Sequence, residues 1–197
     1  TDYFCEISSI TEDTVFLNIK EQKLCSAEPS VDLTLFQAIP KQDKLEHIIQ
    51  KSVELGVSKI VPVLTRRCVS RPDKKDFEKK LVRLNKIALE AAKQSGRGII
   101  PTVEPMISFD EAIIQMKEYD CPAMLYEEGG IRFSELNTQE KKSFALFVGS
   151  EGGFDESEAE AAREAGIASI WLGERILRCE TAPLTAISIL MFITKNL

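Results

Sequence analysis

The chain has 197 residues, 44% hydrophobic and 28% charged, with a formal net charge of −6. That is enough chain for one substantial domain plus a small one, with the composition of a soluble globular protein. No apolar run approaches the roughly 20 residues of a membrane helix, which excludes a helical integral membrane protein. No signal peptide is visible, and the first residue is Thr1, which points to residues upstream. Cys5, Cys25, Cys68, Cys121 and Cys179 are odd in number and scattered, with no CxxC pair. This usage fits a reducing cytoplasm and no bound metal. His47 is the only histidine, which argues against a Ser-His-Asp triad or a histidine-based metal site.

In chain order, Asp2 to Ile7 and Thr14 to Ile19 read as two strands around a polar turn at Glu12-Asp13. Two strands are marginal alone, so residues 1–30 are expected to form part of a small β domain or an extension packed on the rest. Val31 to Ile39 is a strand, and residues 44–55 an amphipathic helix stopped by Gly56. Val57 to Leu64 is a strand in which Pro62 predicts an edge, a bulge or an early end. A long helix follows from about Lys74 to Ser95. From Thr65 to Arg97 there are 11 Lys or Arg and 4 Asp or Glu, a net of +7 on an acidic protein. Such a stripe is either a solvated helix face or a nucleic-acid footprint. Pro101 to Pro105 is extended, and Ser108 with Glu111 forms a capping box for a helix to about Lys117. Ala123 to Tyr126 is an apolar strand ending at Gly129-Gly130, and Ile131 to Glu140 is loop with a short helical turn.

The most informative stretch is 144–182. Phe144 to Val148 and Ala168 to Leu172 are short apolar runs, each closed by a glycine turn, and read as buried parallel strands. Asp155 and Glu158 cap the helix between them, Gly166 ends it, and a strongly apolar helix runs from Ala182 to Ile193. The fold class is α/β with a mainly parallel sheet. Ligands of such sheets sit beyond the carboxyl ends of the strands, where both turns lie. Neither turn has the pattern of a P-loop or a Rossmann fingerprint. On the residues alone, the glycines either serve a ligand or only let the chain turn steeply.

Gly149-x-Glu151-Gly152-Gly153-Phe154, followed by Leu172-Gly173-x-Arg175-Ile176-Leu177-Arg178-x-Glu180-Thr181-Ala182, resembles the two signature blocks of the RsmE family. Gln50-Lys51-x-x-Glu54-Leu55-Gly56-Val57 and Glu90-Ala-x-x-Gln94-Ser95-x-Arg97 extend the likeness. Ser150 stands where the family usually has proline, and Cys179 where it has threonine. RsmE proteins are SPOUT methyltransferases that methylate N3 of a uridine in 16S ribosomal RNA of the small ribosomal subunit. The resemblance implies a SPOUT domain at 31–197 with a C-terminal trefoil knot, which physics alone would not propose. It also implies a partial PUA-like β domain at 1–30, a homodimer sharing its site, and a cytoplasmic location.

For the cofactor, S-adenosylmethionine, the resemblance implies contacts from Leu125, Val148, Gly149, Gly152, Gly153, Leu172, Gly173, Ile176, Leu177 and Ala182. Glycines at 149, 152 and 173 would keep ligand space open. Arg178 and Arg175 would stabilise negative charge on uracil, with Glu180 orienting an arginine or taking a proton, unless Glu180 only pairs with Arg178. Lys79, Lys80, Arg83, Gln94 and Arg97 are the RNA candidates, the last two beside the turn at Gly96 and Gly98. Two other readings stand beside this one. One is a SPOUT ribose 2′-O-methyltransferase, which has different motif blocks. The other is a non-catalytic RNA-binding factor, against which the retained glycines and Arg178 argue.

Overall fold

The computed structural model describes all 197 residues. Strands β1 (Asp2–Ile10) and β2 (Val15–Lys23) form an antiparallel hairpin with two register shifts. The larger unit follows as β3 (Asp32–Ala38), α1 (Lys44–Glu54), β4 (Lys59–Leu64), α2 (Lys74–Gln94), β5 (Thr102–Val103), β6 (Ile107–Ser108), α3 (Phe109–Met116) and β7 (Cys121–Leu125). After a single 3-10 turn at Phe133–Glu135 come β8 (Ser143–Val148), α4 (Glu156–Glu164), β9 (Ala168–Ile170) and α5 (Thr181–Ile193). Local signals set many of these bounds. Asp155 with Glu158, and Ser108 with Glu111, form the expected capping boxes, and the Asp73 side chain caps α2.

Seven strands make one parallel sheet in the order β5-β4-β3-β8-β7-β9, with β6 also on β4. The central strands are buried on both faces, which explains their unbroken apolar runs. Leu33, Leu35, Leu146 and Val148 meet α1, α2 and α5 in one cluster. Phe36, Val61, Ala145 and Phe147 meet α3 and α4 in the other. Pro62 does not place β4 at an edge. It falls where the outer ladder is broken, between the β5 pairing at Lys59 and Ile60 and the β6 pairing at Val63 and Leu64. The missing N–H of proline is tolerated at such a gap.

β9 is held on both edges. Tyr126 N–H donates to Ile170 O on the β7 side. On the other side Ile131 N–H donates to Ser169 O, and Trp171 N–H donates to Ile131 O. Successive residues of a strand point their hydrogen-bonding groups to opposite edges, so residues 126–130 pass around the end of β9. The chain leaving β9 must then turn back across the carboxyl ends of β7 and β8, because α5 packs against α1 and β8.

The hairpin is not an extension packed on this sheet. Tyr3, Phe4, Ile7, Phe16, Leu17 and Ile19 are each more than half exposed. Residues 28–30, by contrast, belong to the larger unit. The Arg97 side chain, only 3% exposed, holds Glu28 with Nη2 at 2.8 Å from Oε2, while Nη1 donates to Val57 O at 2.6 Å and Val53 O at 3.1 Å. Ser30 N–H donates to Asn196 Oδ1. Arg97 is therefore a buried brace between residue 28, α1 and the start of β4, and the expectation that it contacts RNA is corrected. Its partners supply the reason, since four of its five N–H donors are engaged by Glu28, Val53 O and Val57 O and the side chain is only 3% exposed.

Burial raises the Glu28 carboxyl, but hydrogen bonds from Arg97 and the Ile99 amide outweigh it and leave its pKa below the ordinary 4.5. A depressed carboxylate adds stability above its unfolded value and loses it as pH falls through the folded one. Arg97→Met should cost about 1–3 kcal/mol at neutral pH, since it takes the cation from a partly buried carboxylate and leaves the Val53 and Val57 carbonyls without that donor. Denaturant unfolding should show this difference in full above about pH 4.5, and shrinking below it as Glu28 is protonated. An unchanged midpoint at neutral pH would contradict the brace.

Candidate functional site

A cleft of about 700 Å³ opens at the carboxyl ends of β7, β8 and β9. Its size is that of a small-molecule site. Three segments form it: Leu125 to Glu127 after β7, Val148 to Gly153 after β8, and Ile170 to Cys179 after β9. Leu125, Val148, Gly149, Gly152, Gly153, Leu172, Gly173, Ile176, Leu177 and Ala182 all line it. The walls are mixed: aliphatic from Leu125, Val148, Ile170 and Leu172, acidic from Glu127 and Glu151.

The turn after β8 is fixed from several sides. Gln37 on β3 donates from Nε2 to Gly149 O at 3.2 Å, and Ser150 Oγ donates to Arg67 O at 3.3 Å. Gly153 N–H closes the turn on Ser150 O. Serine in place of proline thus gains a tether to the loop after β4. The reason for the glycines needs correction at two positions. A Cβ on Gly149 would lie 3.0 Å from the Gly153 backbone, and one on Gly152 would lie 3.1 Å from Arg67 Cβ. Both make room for protein. Only Gly173 faces open space, with φ +110 and nothing within 4 Å of where a Cβ would stand.

Arg175 and Arg178 line the cleft, are exposed, and stand in no ion pair. Glu180 pairs with neither of them. Its Oε2 lies 3.0 Å from Lys44 Nζ, which also lies 3.2 Å from Glu151 Oε1. The hydrogen bond from Lys44 holds the Glu180 carboxyl below its ordinary pKa, and burial only partly opposes it. Burial raises Glu151, but the Glu151 and Lys41 amides and Lys44 outweigh it. The Cys179 thiol donates to Glu180 Oε2 at 3.2 Å and is pushed up to about 12, chiefly by burial and by that bond. It stays a thiol, and so a donor, where the resembled family has a hydroxyl. Lys44 escaped the sequence reading, although one local signal was present. A cation in the first turn of a helix opposes the helix dipole, so something distant must offset it.

The RNA candidates divide. Lys79, Lys80 and Arg83 lie in the first half of α2, on the exposed side near the cleft end of the sheet. Lys79 is paired with Asp76 and Arg83 with Glu46, while Lys80 borders a small depression between α1 and α2. Gln94 is exposed but sits with Arg97 at the opposite end of the sheet, where β5 begins beside the first residue of β4. These two residues do not shape the cleft of this chain. His47 is exposed.

Comparison with known proteins agrees with this geometry. A family model described as an RNA methyltransferase domain matches residues 27–191. A Bacillus subtilis protein named ribosomal RNA small subunit methyltransferase E is 36% identical over 98% of this chain and 78% of its own. The crystal structure of a Neisseria gonorrhoeae ribosomal RNA small subunit methyltransferase E bound to S-adenosyl methionine superposes with a TM-score of 0.86 at 31% identity, covering 97% of this chain and 78% of that one. A Legionella pneumophila putative methyltransferase, in complex with the same molecule, gives 0.85 at 30% identity, over 97% and 78% of the two chains.

The glycine geometry has a direct test. Gly149→Ala should destabilise the protein by about 1–3 kcal/mol, as overpacking does, because backbone lies on the other side of the contact. Gly152→Ala would meet Arg67 Cβ at 3.1 Å and the Arg67 carbonyl at 3.3 Å, both close to the Arg67 backbone, and should cost a similar amount. Equal melting temperatures for Gly149→Ala and the parent protein would contradict the packing described.

Proposed function

This chain belongs to the ribosomal RNA small subunit methyltransferase E family, and we propose that it methylates N3 of a uridine in 16S ribosomal RNA. It is an S-adenosylmethionine-dependent methyltransferase. The observation that carries the reading is the cleft, where both signature blocks and the turn after β7 converge on one cavity of cofactor size.

The residues fit the cofactor. Aliphatic walls suit an adenine ring, the open space at Gly173 admits a ligand close to backbone, and Glu127, which stands in no ion pair, complements a cationic molecule. When bound, S-adenosylmethionine supplies an electrophilic methyl group. The chain's own residues supply placement and charge. Arg175 and Arg178, unpaired at the rim, stabilise negative charge on the uracil oxygens and so favour loss of the weakly acidic N3 proton. Glu180 is engaged by Lys44 and held at low pKa. Its role is to position the loop, since a general base works best near the operating pH.

The return of the chain past the loop around β9 supports a trefoil knot of the SPOUT type. The hairpin, apolar and exposed on both faces, supports a PUA-like β part that ends before Glu28, a little earlier than residue 30. Lys79, Lys80 and Arg83 serve as phosphate contacts, with the assembled small subunit as the substrate and the cytoplasm as the location. On α5, Ala186, Ile187, Leu190 and Met191 are buried, Leu184, Ile189 and Ile193 only partly, and Phe192 is 71% exposed. This residual apolar face supports a two-fold dimer.

Mass mapping of ribosomal RNA treated with the protein and S-adenosylmethionine should find 3-methyluridine, and Arg178→Gln should lower kcat by about a hundredfold. Methylation on a ribose hydroxyl would favour the other SPOUT reaction, and no methylation a binding factor. Light scattering should give twice the chain mass, and a stable, active monomer would refute a shared site.

A further inference from the structure

Three segments far apart in sequence meet at the Lys44 side chain, at one mouth of the cleft. Its ammonium contacts Glu151 Oε1 at 3.2 Å, Glu180 Oε2 at 3.0 Å and Cys179 Sγ at 3.7 Å. Glu151 belongs to the glycine turn after β8, and Glu180 is the residue before α5. Glu151 lines one wall of the cleft, and Glu180 stands between Cys179 and Ala182, which line another. The three side chains are about a quarter exposed, 28%, 25% and 23% for Lys44, Glu151 and Glu180, so the cluster is neither deep nor freely solvated. The Lys41 amide also donates to both Glu151 oxygens, at 3.1 and 3.3 Å, which adds a second tie from the start of α1 to the same turn.

Placement argues that the lysine does more than solvate. A cation in the first turn of α1 is disfavoured by the helix dipole, and α1 needs none there for capping. Two carboxylates sharing that corner without a cation would repel each other. We propose that Lys44 is a positioning residue of the methyl-transfer site, a latch whose ammonium holds Glu151 and Glu180 together and so sets the spacing between two walls of the cofactor cleft. It touches no reacting atom. The charged and titratable groups facing it are Glu151, Glu180 and the Cys179 thiol, and all three lie within reach of one ammonium. With Lys44 in place both carboxylates sit below their ordinary range, so the latch stays closed across neutral pH. Without it their pKa values rise, and acidification then removes the repulsion by protonating one of them. This inference rests on the proposed cofactor reading, whose own test is the affinity of the unaltered chain for S-adenosylmethionine.

Calorimetric titration with S-adenosylmethionine separates the two. Provided the parent protein binds, Lys44→Met should weaken binding about tenfold or more, as a misplaced wall does. Lys44→Arg should restore binding. The double variant Lys44→Met, Glu180→Gln should bind better than Lys44→Met alone, because the unpaired carboxylate is gone. The Lys44→Met defect should also shrink as pH is lowered from about 7 to about 5, a response that simple loss of packing does not give. Parent-like binding by Lys44→Met would overturn the latch. So would a defect that is the same at every pH and in the double variant, or a Lys44→Arg protein that binds no better than Lys44→Met. Failure of the parent protein to bind would instead remove the reading on which the proposal stands.

Discussion

The double-edged grip on β9 constrains everything downstream of it. β7 holds one edge, and Ile131, reached by a loop around the strand end, holds the other. A strand so enclosed cannot extend the sheet further. Residues 171–180 are sent back over the carboxyl ends of β7 and β8, and α5 is delivered to α1 on the far side. The cleft is the space this reversal encloses. Its third wall comes from the returning chain itself, which is why residues so distant in sequence line one cavity. Parallel sheets leave their carboxyl ends as the natural place for a ligand. Here the topology also roofs that place over.

Electrostatics at the cleft mouth follow from the same path. Lys44, Arg175 and Arg178 line the cleft together with Glu127, Glu151 and Glu174, and Glu180 stands between the lining residues Cys179 and Ala182. Glu151 and Glu180 pair with the lysine, and the two arginines stand in no ion pair. That division suits a reaction in which the nucleophile becomes anionic, because unpaired cations stabilise charge more than paired ones do.

Local features were legible in the sequence. Capping residues, glycine stops and apolar periodicity placed α1, α2, α3 and α4 close to their observed limits, because each signal is written within four residues of its effect. The segments that line the cleft were legible through its signature blocks. What escaped was non-local. Arg97 read as a surface cation because its partner, Glu28, stands 69 residues away. Lys44 was not singled out because Cys179 is 135 residues distant and no periodicity links them. The purpose of Gly149 was misread for the same reason, since only folding brings the Gly153 backbone against it. Strand order, including the insertion of β8 between β3 and β7, depends on crossovers that composition does not encode.

The central claim is that one cleft, built from the segments after β7, β8 and β9, receives the methyl donor. A crystal structure of this chain grown with S-adenosylmethionine tests it most directly. The expected result is ligand density enclosed by Leu125 to Glu127, Val148 to Gly153 and Leu172 to Leu177, with Gly173 against the ligand and Lys44 bridging Glu151 and Glu180. Density at another surface, with this cleft filled only by solvent, would contradict it.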